Sequence, residues 1–272
     1  MPRLIISLLA IIAIAIASYA ARTDTIAIST TYVSPAPVKA VVITPDAADT
    51  YPAAQFPTVY LLNGFGGDHR SWSIICPELT AMADRYAMVL VMPDGRDSWY
   101  FDSPVDPAMQ MESFVTRDLV PYIDSHYPTI ANPRHRAITG LSMGGHGGLY
   151  LMLRHPDIWL GGGSTSGGVN IEPFPSKWKI ADRLGPYETN KQRWHDNTVI
   201  NMLDRATAGM HIIVDCGTED FFYAENLRLH QAMLDRGIAH DFISRPGTHC
   251  IAYWRNSILY QLLFFNSFFS AQ

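Results

Sequence analysis

Short apolar runs and longer amphipathic stretches alternate along the chain. Thr25–Val33 and Val38–Ile43 carry β-branched residues at strand spacing and flank the turn signal Ser34-Pro35-Ala36-Pro37. Further short runs follow at Thr58–Leu62, Ala87–Met92, Ala137–Gly140, His211–Val214 and Asp241–Ser244, bounded by Gly, Pro or Asp. Several are apolar without alternation, as expected of strands covered on both faces. Between them the pattern predicts helices over Trp72–Arg85, Met109–His126, Gly144–Arg154, Ala224–Arg236 and Ala252–Phe268. Strand and helix in alternation give an α/β class: a mostly parallel central sheet with helices on both faces. Gly167–Ala208 breaks this rhythm, being rich in Pro, Trp, Asn and charge, and reads as a modest insertion over one end of the sheet.

Ahead of these elements, Met1-Pro2-Arg3 supplies a positive start and Leu4–Ala17 an apolar run. Ser18-Tyr19-Ala20 then puts small residues at both positions a signal peptidase reads. The expectation is a signal peptide over residues 1–20 and a single α/β domain over 21–272, secreted or periplasmic. The rival reading is a membrane anchor. Against it, the run is short of the roughly 20 apolar residues of a span, and its distal flank lacks a positive cluster. No Cys follows for a lipid anchor, so no stable membrane attachment is expected after cleavage.

Composition narrows the classes further. With 272 residues, net charge −5, 48% hydrophobic and 17% charged residues, the chain is globular rather than disordered. Without a basic excess or a charge run, nucleic-acid binding has no electrostatic support. Three cysteines are too few for a disulfide scaffold and lack zinc-ligand spacing.

Candidate chemistry starts at Ala137-Ile138-Thr139-Gly140-Leu141-Ser142-Met143-Gly144-Gly145. Gly-x-Ser-x-Gly spans Gly140, Ser142 and Gly144, with a strand running in and a helix running out. That is the setting of a nucleophile elbow, a strained turn in which only glycine fits two residues either side of the serine. The alternative is a Gly-rich turn with a bystander serine. The Met143 N–H opens the helix and can face an oxyanion. In Asn63-Gly64-Phe65-Gly66-Gly67, after an earlier strand, the Phe65 N–H is the candidate second donor, with Gly64 next. Of ten histidines, His249 sits in a short turn between the last strand and the terminal helix, where it can swing onto Ser142. His146 is near the serine in sequence, but the helix should carry it away. Asp220, just past a strand end, is the candidate acid, ahead of Asp215, still in the strand, and Glu219, facing solvent.

At these residues the chain resembles the esterase D-like branch of the α/β-hydrolases, which includes tributyrin esterases, S-formylglutathione hydrolases, feruloyl esterase domains and mycolyltransferases. The matching stretches are Val59–Trp72, Ser98–Ser103, Gly140–Gly145, Cys216–Asn226 and Gly247–Trp254, in family order over nearly all of residues 21–272. The resemblance implies an α/β-hydrolase fold with Ser142 as nucleophile, Asp220 as acid, His249 as base and the Phe65 and Met143 amides as oxyanion hole. It departs from the pattern at Asn63, where many relatives carry His, and at Cys250, where an acidic residue is common. Cys250 and Cys216 lie on loops that must approach each other, which leaves a bridge or two separate thiols open; Cys76 falls on a helix and reads as core.

The implied activity is that of a secreted serine carboxylesterase using neither metal nor organic cofactor. Location favours small-molecule or polysaccharide-linked esters, short-chain, acetyl or feruloyl, over glutathione thioesters. Trp99 and Tyr100, with Phe174, Trp178, Tyr187 and Trp194 of the insertion, are candidates for a substrate pocket or for the insertion's own core. Two other functions stay open: an acyltransferase passing the acyl group to a sugar or lipid hydroxyl, and a non-catalytic binding module on the same fold.

Overall fold

The computed structural model of the protein describes residues 20–271. The expected leader lies outside these residues save for Ala20. Eight strands form one sheet: β1 Arg22–Ile28, β2 Val38–Thr44, β3 Thr58–Leu62, β4 Val89–Pro93, β5 Arg136–Gly140, β6 Gly161–Thr165, β7 His211–Gly217 and β8 Asp241–Arg245. Their order is β1-β2-β4-β3-β5-β6-β7-β8. β2 is antiparallel to both β1 and β4, and every pairing from β4 to β8 is parallel.

The central strands are buried along their whole length because both faces are covered. Alternate side chains divide between two cores. On one face Tyr60, Leu62, Val89, Val91 and Ile138 share a core with residues of α3 (Met143–Arg154), which packs on β3, β5 and β6. On the other, Val59, Leu61, Leu90 and Ala137 share a core with residues of α1 (Leu79–Tyr86) and α5 (Ile251–Ser270). The remaining long helices are α2 (Val120–His126) and α4 (Tyr223–Asp235). After β3 the chain returns to the β4 side, whereas after β5 it moves on to β6. Connections therefore part beyond the carboxyl ends of β3 and β5, which is where an open α/β sheet leaves a crevice.

Four elements differ from the sequence reading. β6 was not expected, since Gly161-Gly162-Gly163 opposes strand propensity. Packing explains it: a Cβ on Gly162 would lie 2.3 Å from Met152 Sδ, so α3 rests directly on that strand. β1 covers Arg22–Ile28 rather than Thr25–Val33 because β2 pairs with those seven residues. Trp72–Arg85 is two helices, Ser71–Ile75 and α1, split where Pro77 lacks the N–H a continuous helix needs. The Met109–His126 stretch starts at Met111 and passes through a π turn, Phe114–Leu119, before α2. The insertion holds short helices at Ile180–Leu184 and Lys191–Asp196.

α3 does carry His146 away from Ser142. Its ring is fully buried among Trp99, Phe101 and Tyr150, and its Nε2 lies 3.0 Å from the carbonyl of Asn197, tying the insertion to α3. A carbonyl only accepts, so Nε2 holds a proton, and burial favours the neutral form of the ring. Burial pushes this imidazole down to about 4. The unfolded chain takes up a proton near pH 6.5 that folded His146 refuses, so this contribution is complete above pH 6.5 and drains away as pH falls through about 4. At about 1.4 kcal/mol per pH unit, the interval amounts to about 3 kcal/mol. Urea unfolding of the wild type between pH 7 and 4 should therefore lose more stability than His146→Phe does, whatever other groups contribute to both. Parallel pH curves for the two proteins would contradict this.

Candidate active site

β5 ends at Gly140 and α3 begins at Met143, so Leu141 and Ser142 must turn the chain within two residues. Ser142 does so at φ 55° and ψ −117°, a conformation that costs a residue with a Cβ. Glycine on either side makes the turn fit. A Cβ on Gly140 would lie 2.6 Å from Leu62 O, and one on Gly144 would lie 2.3 Å from the same oxygen. Backbone bonds hold the strained residue: Ser142 N–H donates to Thr165 O at 2.9 Å, and Ser142 O accepts from the His146 and Gly168 amides. The hydroxyl is left half-buried at the wall of a cavity.

Asp220 and His249 arrive on loops that follow β7 and β8. The Asp220 carboxylate is sealed from solvent, accepting the Phe222 N–H at Oδ1 (2.9 Å) and His249 Nδ1 at Oδ2 (2.8 Å). His249 Nε2 is 3.0 Å from Ser142 Oγ. An ionised carboxylate cannot donate, so Nδ1 carries the ring proton and Nε2 offers its lone pair to the serine hydroxyl. The ring is held between Phe221, with centroids 4.3 Å apart, and the edge of Trp254 at 5.0 Å.

The two loops are joined to each other. Thr218 N–H donates to Arg245 O (2.8 Å) and Glu219 N–H to Gly247 O (2.9 Å). Below them, buried Asp215 accepts from Arg245 Nη2 at 2.5 Å and from the Tyr253 hydroxyl. Burial raises the Asp215 carboxyl above its ordinary range, opposed by Tyr253 and Arg245. Asp215 thus braces the acid loop from within the strand, and Glu219 is exposed to solvent. Cys76, Cys216 and Cys250 are free thiols.

The cavity beside Ser142 measures about 490 Å³ and is mostly apolar. The N–H groups of Phe65 and Met143 meet no protein acceptor among the described residues. Of the aromatic candidates, Trp178 lines the cavity, while Trp99, Tyr100 and Phe174 do not. Trp99 and Tyr100 take positive φ (56° and 63°) and turn into the core, where the Trp99 indole N–H donates to Trp178 O and the Tyr100 hydroxyl meets Asn63. Phe174 backs Trp178 from behind, 5.4 Å between ring centroids. Trp194 and Tyr187 pack on each other within the insertion, the second of the two readings left open for them. The sequence reading missed Ile74, Phe221, Ile251 and Trp254, which complete the wall. Their signal was adjacency: Phe221 follows Asp220 directly, and Ile251 and Trp254 lie within five residues of His249. Among the described residues no group of three or more His, Cys, Asp or Glu could hold a metal ion, and no helix is long and apolar enough to cross a membrane.

A mostly parallel eight-stranded sheet in this order, with a serine on a strand-to-helix elbow, is the α/β-hydrolase fold. The Esterase family model matches residues 35–265, so the chain belongs to that family and is a carboxylic ester hydrolase. It is 24% identical over 217 residues to an acetyl esterase of Caldicellulosiruptor saccharolyticus, covering 74% of this chain and 80% of that one. Among solved structures it is similar to a ferulic acid esterase (TM-score 0.78, 23% identity, 92% of this chain and 99% of that one). It is also similar to fluorophosphonate-binding serine hydrolase F of Staphylococcus aureus (TM-score 0.80, 17% identity, 90% and 98%).

Replacing Arg245 by Met leaves the buried Asp215 charge without its cation. Removing one partner of such a pair costs about 3 kcal/mol. Denaturant unfolding should register that loss, and Arg245→Met combined with Asp215→Leu should recover part of it. A single variant as stable as the wild type would contradict the bracing role.

Proposed function

We propose that the protein is a secreted serine carboxylesterase that hydrolyses short-chain acyl or carbohydrate-linked (acetyl- or feruloyl-type) esters through Ser142, His249 and Asp220. The observation that carries this reading is the imidazole of His249, within hydrogen-bond distance of Ser142 Oγ and of Asp220 Oδ2 at once. Ser142 Oγ attacks the ester carbonyl as its proton passes to His249 Nε2, and Asp220 holds the tautomer and stabilises the imidazolium. The Phe65 and Met143 amides take the oxyanion; one such donor is worth about 3 kcal/mol of barrier. The alcohol leaves with the proton from His249, and water, activated by the same ring, releases the acid.

The cavity supports an uncharged acyl group. Among the described residues no Lys, Arg, Asp or Glu lines it, and Leu141, Trp178 and Phe221 present apolar or aromatic surface beside the serine. A glutathione thioester would bring two carboxylates to a wall whose neighbouring cation, Lys179 over the Phe65 ring, is already paired with Asp97 at 3.0 Å. Acetyl esters and ferulate esters fit both the wall and the names of the similar proteins. Export is supported by the apolar run ahead of Ala20 and by one contact at its boundary. Ala21 N–H donates to Asp84 Oδ2 at 3.0 Å, so cleavage after Ala20 would place an α-ammonium on a carboxylate that already receives the Asp46 amide.

A panel of p-nitrophenyl acyl esters with methyl ferulate checks the chemistry. Ser142→Ala should lower turnover at least about 10⁴-fold on every substrate the wild type cleaves; equal rates would overturn the mechanism. With a sugar alcohol in competition, free acid should dominate, and a predominantly acylated sugar would instead indicate acyl transfer. For export, mass spectrometry of protein made in cells with a general secretory route should find Ala21 first, outside the cytoplasm. Retention inside with Met1 intact would contradict secretion.

A further inference from the structure

We infer that Asn63 is a positioning residue for the oxyanion hole, aiming the Phe65 N–H through the carbonyl on the other side of the same peptide. The inference rests on the proposed role of Phe65 and adds the side chain that sets its direction. Gly64 C=O and Phe65 N–H belong to one planar trans peptide, so they point in opposite directions and fixing either fixes both. Gly64 O is fixed twice. It accepts Asn63 Nδ2–H at 2.9 Å and the Gly67 N–H at 3.0 Å. With the carbonyl held on that side, the amide of Phe65 is left facing the cavity that Gly64, Phe65 and Ser142 line, without a protein acceptor among the described residues.

Asn63 is itself oriented. The Gly95 N–H donates to Oδ1 at 2.8 Å. The Tyr100 hydroxyl proton is shared between the same oxygen at 3.1 Å and the Asn63 carbonyl at 3.2 Å, so Tyr100 holds Asn63 by side chain and backbone together. The Gly95 amide can only donate and Gly64 O can only accept, so the oxygen and nitrogen ends of the side chain are assigned without ambiguity. Asn63 is 1% exposed and Tyr100 fully buried, so water cannot stand in for either bond. The fit leaves no slack: a Cβ on Gly95 would sit 2.2 Å from the Tyr100 oxygen, and one on Gly64 would sit 2.5 Å from Leu141 Cδ1. Donation to Gly64 O also polarises the peptide, making the Phe65 N–H a better donor where negative charge develops. Tyr100 therefore has a place in the site although it never reaches the cavity.

Asn63→Asp in its ionised form keeps both acceptor bonds and the shape while removing the donor to Gly64 O. Asn63→Leu, neutral and of similar size, removes that donor without adding a charge, so both variants should be slowed, and unchanged turnover in Asn63→Leu would also overturn the inference. Turnover of p-nitrophenyl acetate per fluorophosphonate-titrated site should fall about 10- to 100-fold, part of the 10² to 10³ that loss of a whole donor costs, with KM within about twofold of wild type. A trifluoromethyl ketone, which forms an oxyanion on Ser142, should weaken in parallel, while the corresponding methyl ketone should bind as before. Tyr100→Phe, which removes one support of Asn63, should lower turnover about 3- to 10-fold, and it carries the test if the Asp variant does not fold. Turnover within about threefold of wild type in Asn63→Asp, or unchanged turnover in Tyr100→Phe when the Asp variant does not fold, would overturn the inference. Phe65→Pro separates the two levels, since it deletes the N–H itself. If that variant is as fast as wild type, the donor assignment fails; if it is slow while Asn63→Asp is fast, only the positioning role fails.

Discussion

The whole site hangs on one imidazole making two hydrogen bonds. His249 must reach a hydroxyl on the elbow after β5 and a carboxylate on the loop after β7, and neither bond is provided by local chain geometry. What makes the reach possible is the sheet. β5, β6, β7 and β8 are consecutive parallel neighbours, so their carboxyl ends form one rim and the loops leaving them meet above it. The last two loops are then joined by backbone bonds and braced beneath by Arg245, Asp215 and Tyr253. Glycine is required at that junction: a Cβ on Gly217 would lie 2.2 Å from Gly247 O.

The same rim stores strain. Ser142 sits where few residues with a Cβ sit, at a cost of order 1–3 kcal/mol, and the packing of β3, β5, β6 and α3 holds it there. Leu62 O is the common neighbour, receiving the Leu141 amide and the Trp72 indole while barring any side chain at positions 140 and 144. Strain and chemistry are linked by this arrangement. The turn that exposes the hydroxyl also starts α3, and the first amide of that helix has no partner within the helix.

Much of this was legible in the sequence because it is written in short range. Gly140, Ser142 and Gly144 are spaced by the sterics of one turn, and Asp220 and His249 each stand just past a strand end. The cavity wall was less legible, since it depends on where loops turn. Trp99 and Tyr100 carry the aromatic rings expected in a pocket, yet positive backbone angles send them inward. Phe221 and Ile251 look like surface residues by their exposure, 53% and 55%, and only the fold shows that both border the cavity. β6 escaped because three glycines hide a strand whose existence is decided by Met152 and Ala137 packing onto it, not by its own propensity. Asn63 was visible as a departure from the family pattern. Its consequence needed coordinates, because a side chain acting on the carbonyl of the next residue has no sequence signature.

The convergence at His249 is tested most directly by the crystal structure of the protein after reaction with a fluorophosphonate. A phosphorus–oxygen bond is expected at Ser142, with a phosphoryl oxygen about 3 Å from both the Phe65 and Met143 nitrogens and His249 still on Asp220. An adduct on any other residue, or a phosphoryl oxygen turned away from both amides, would contradict it.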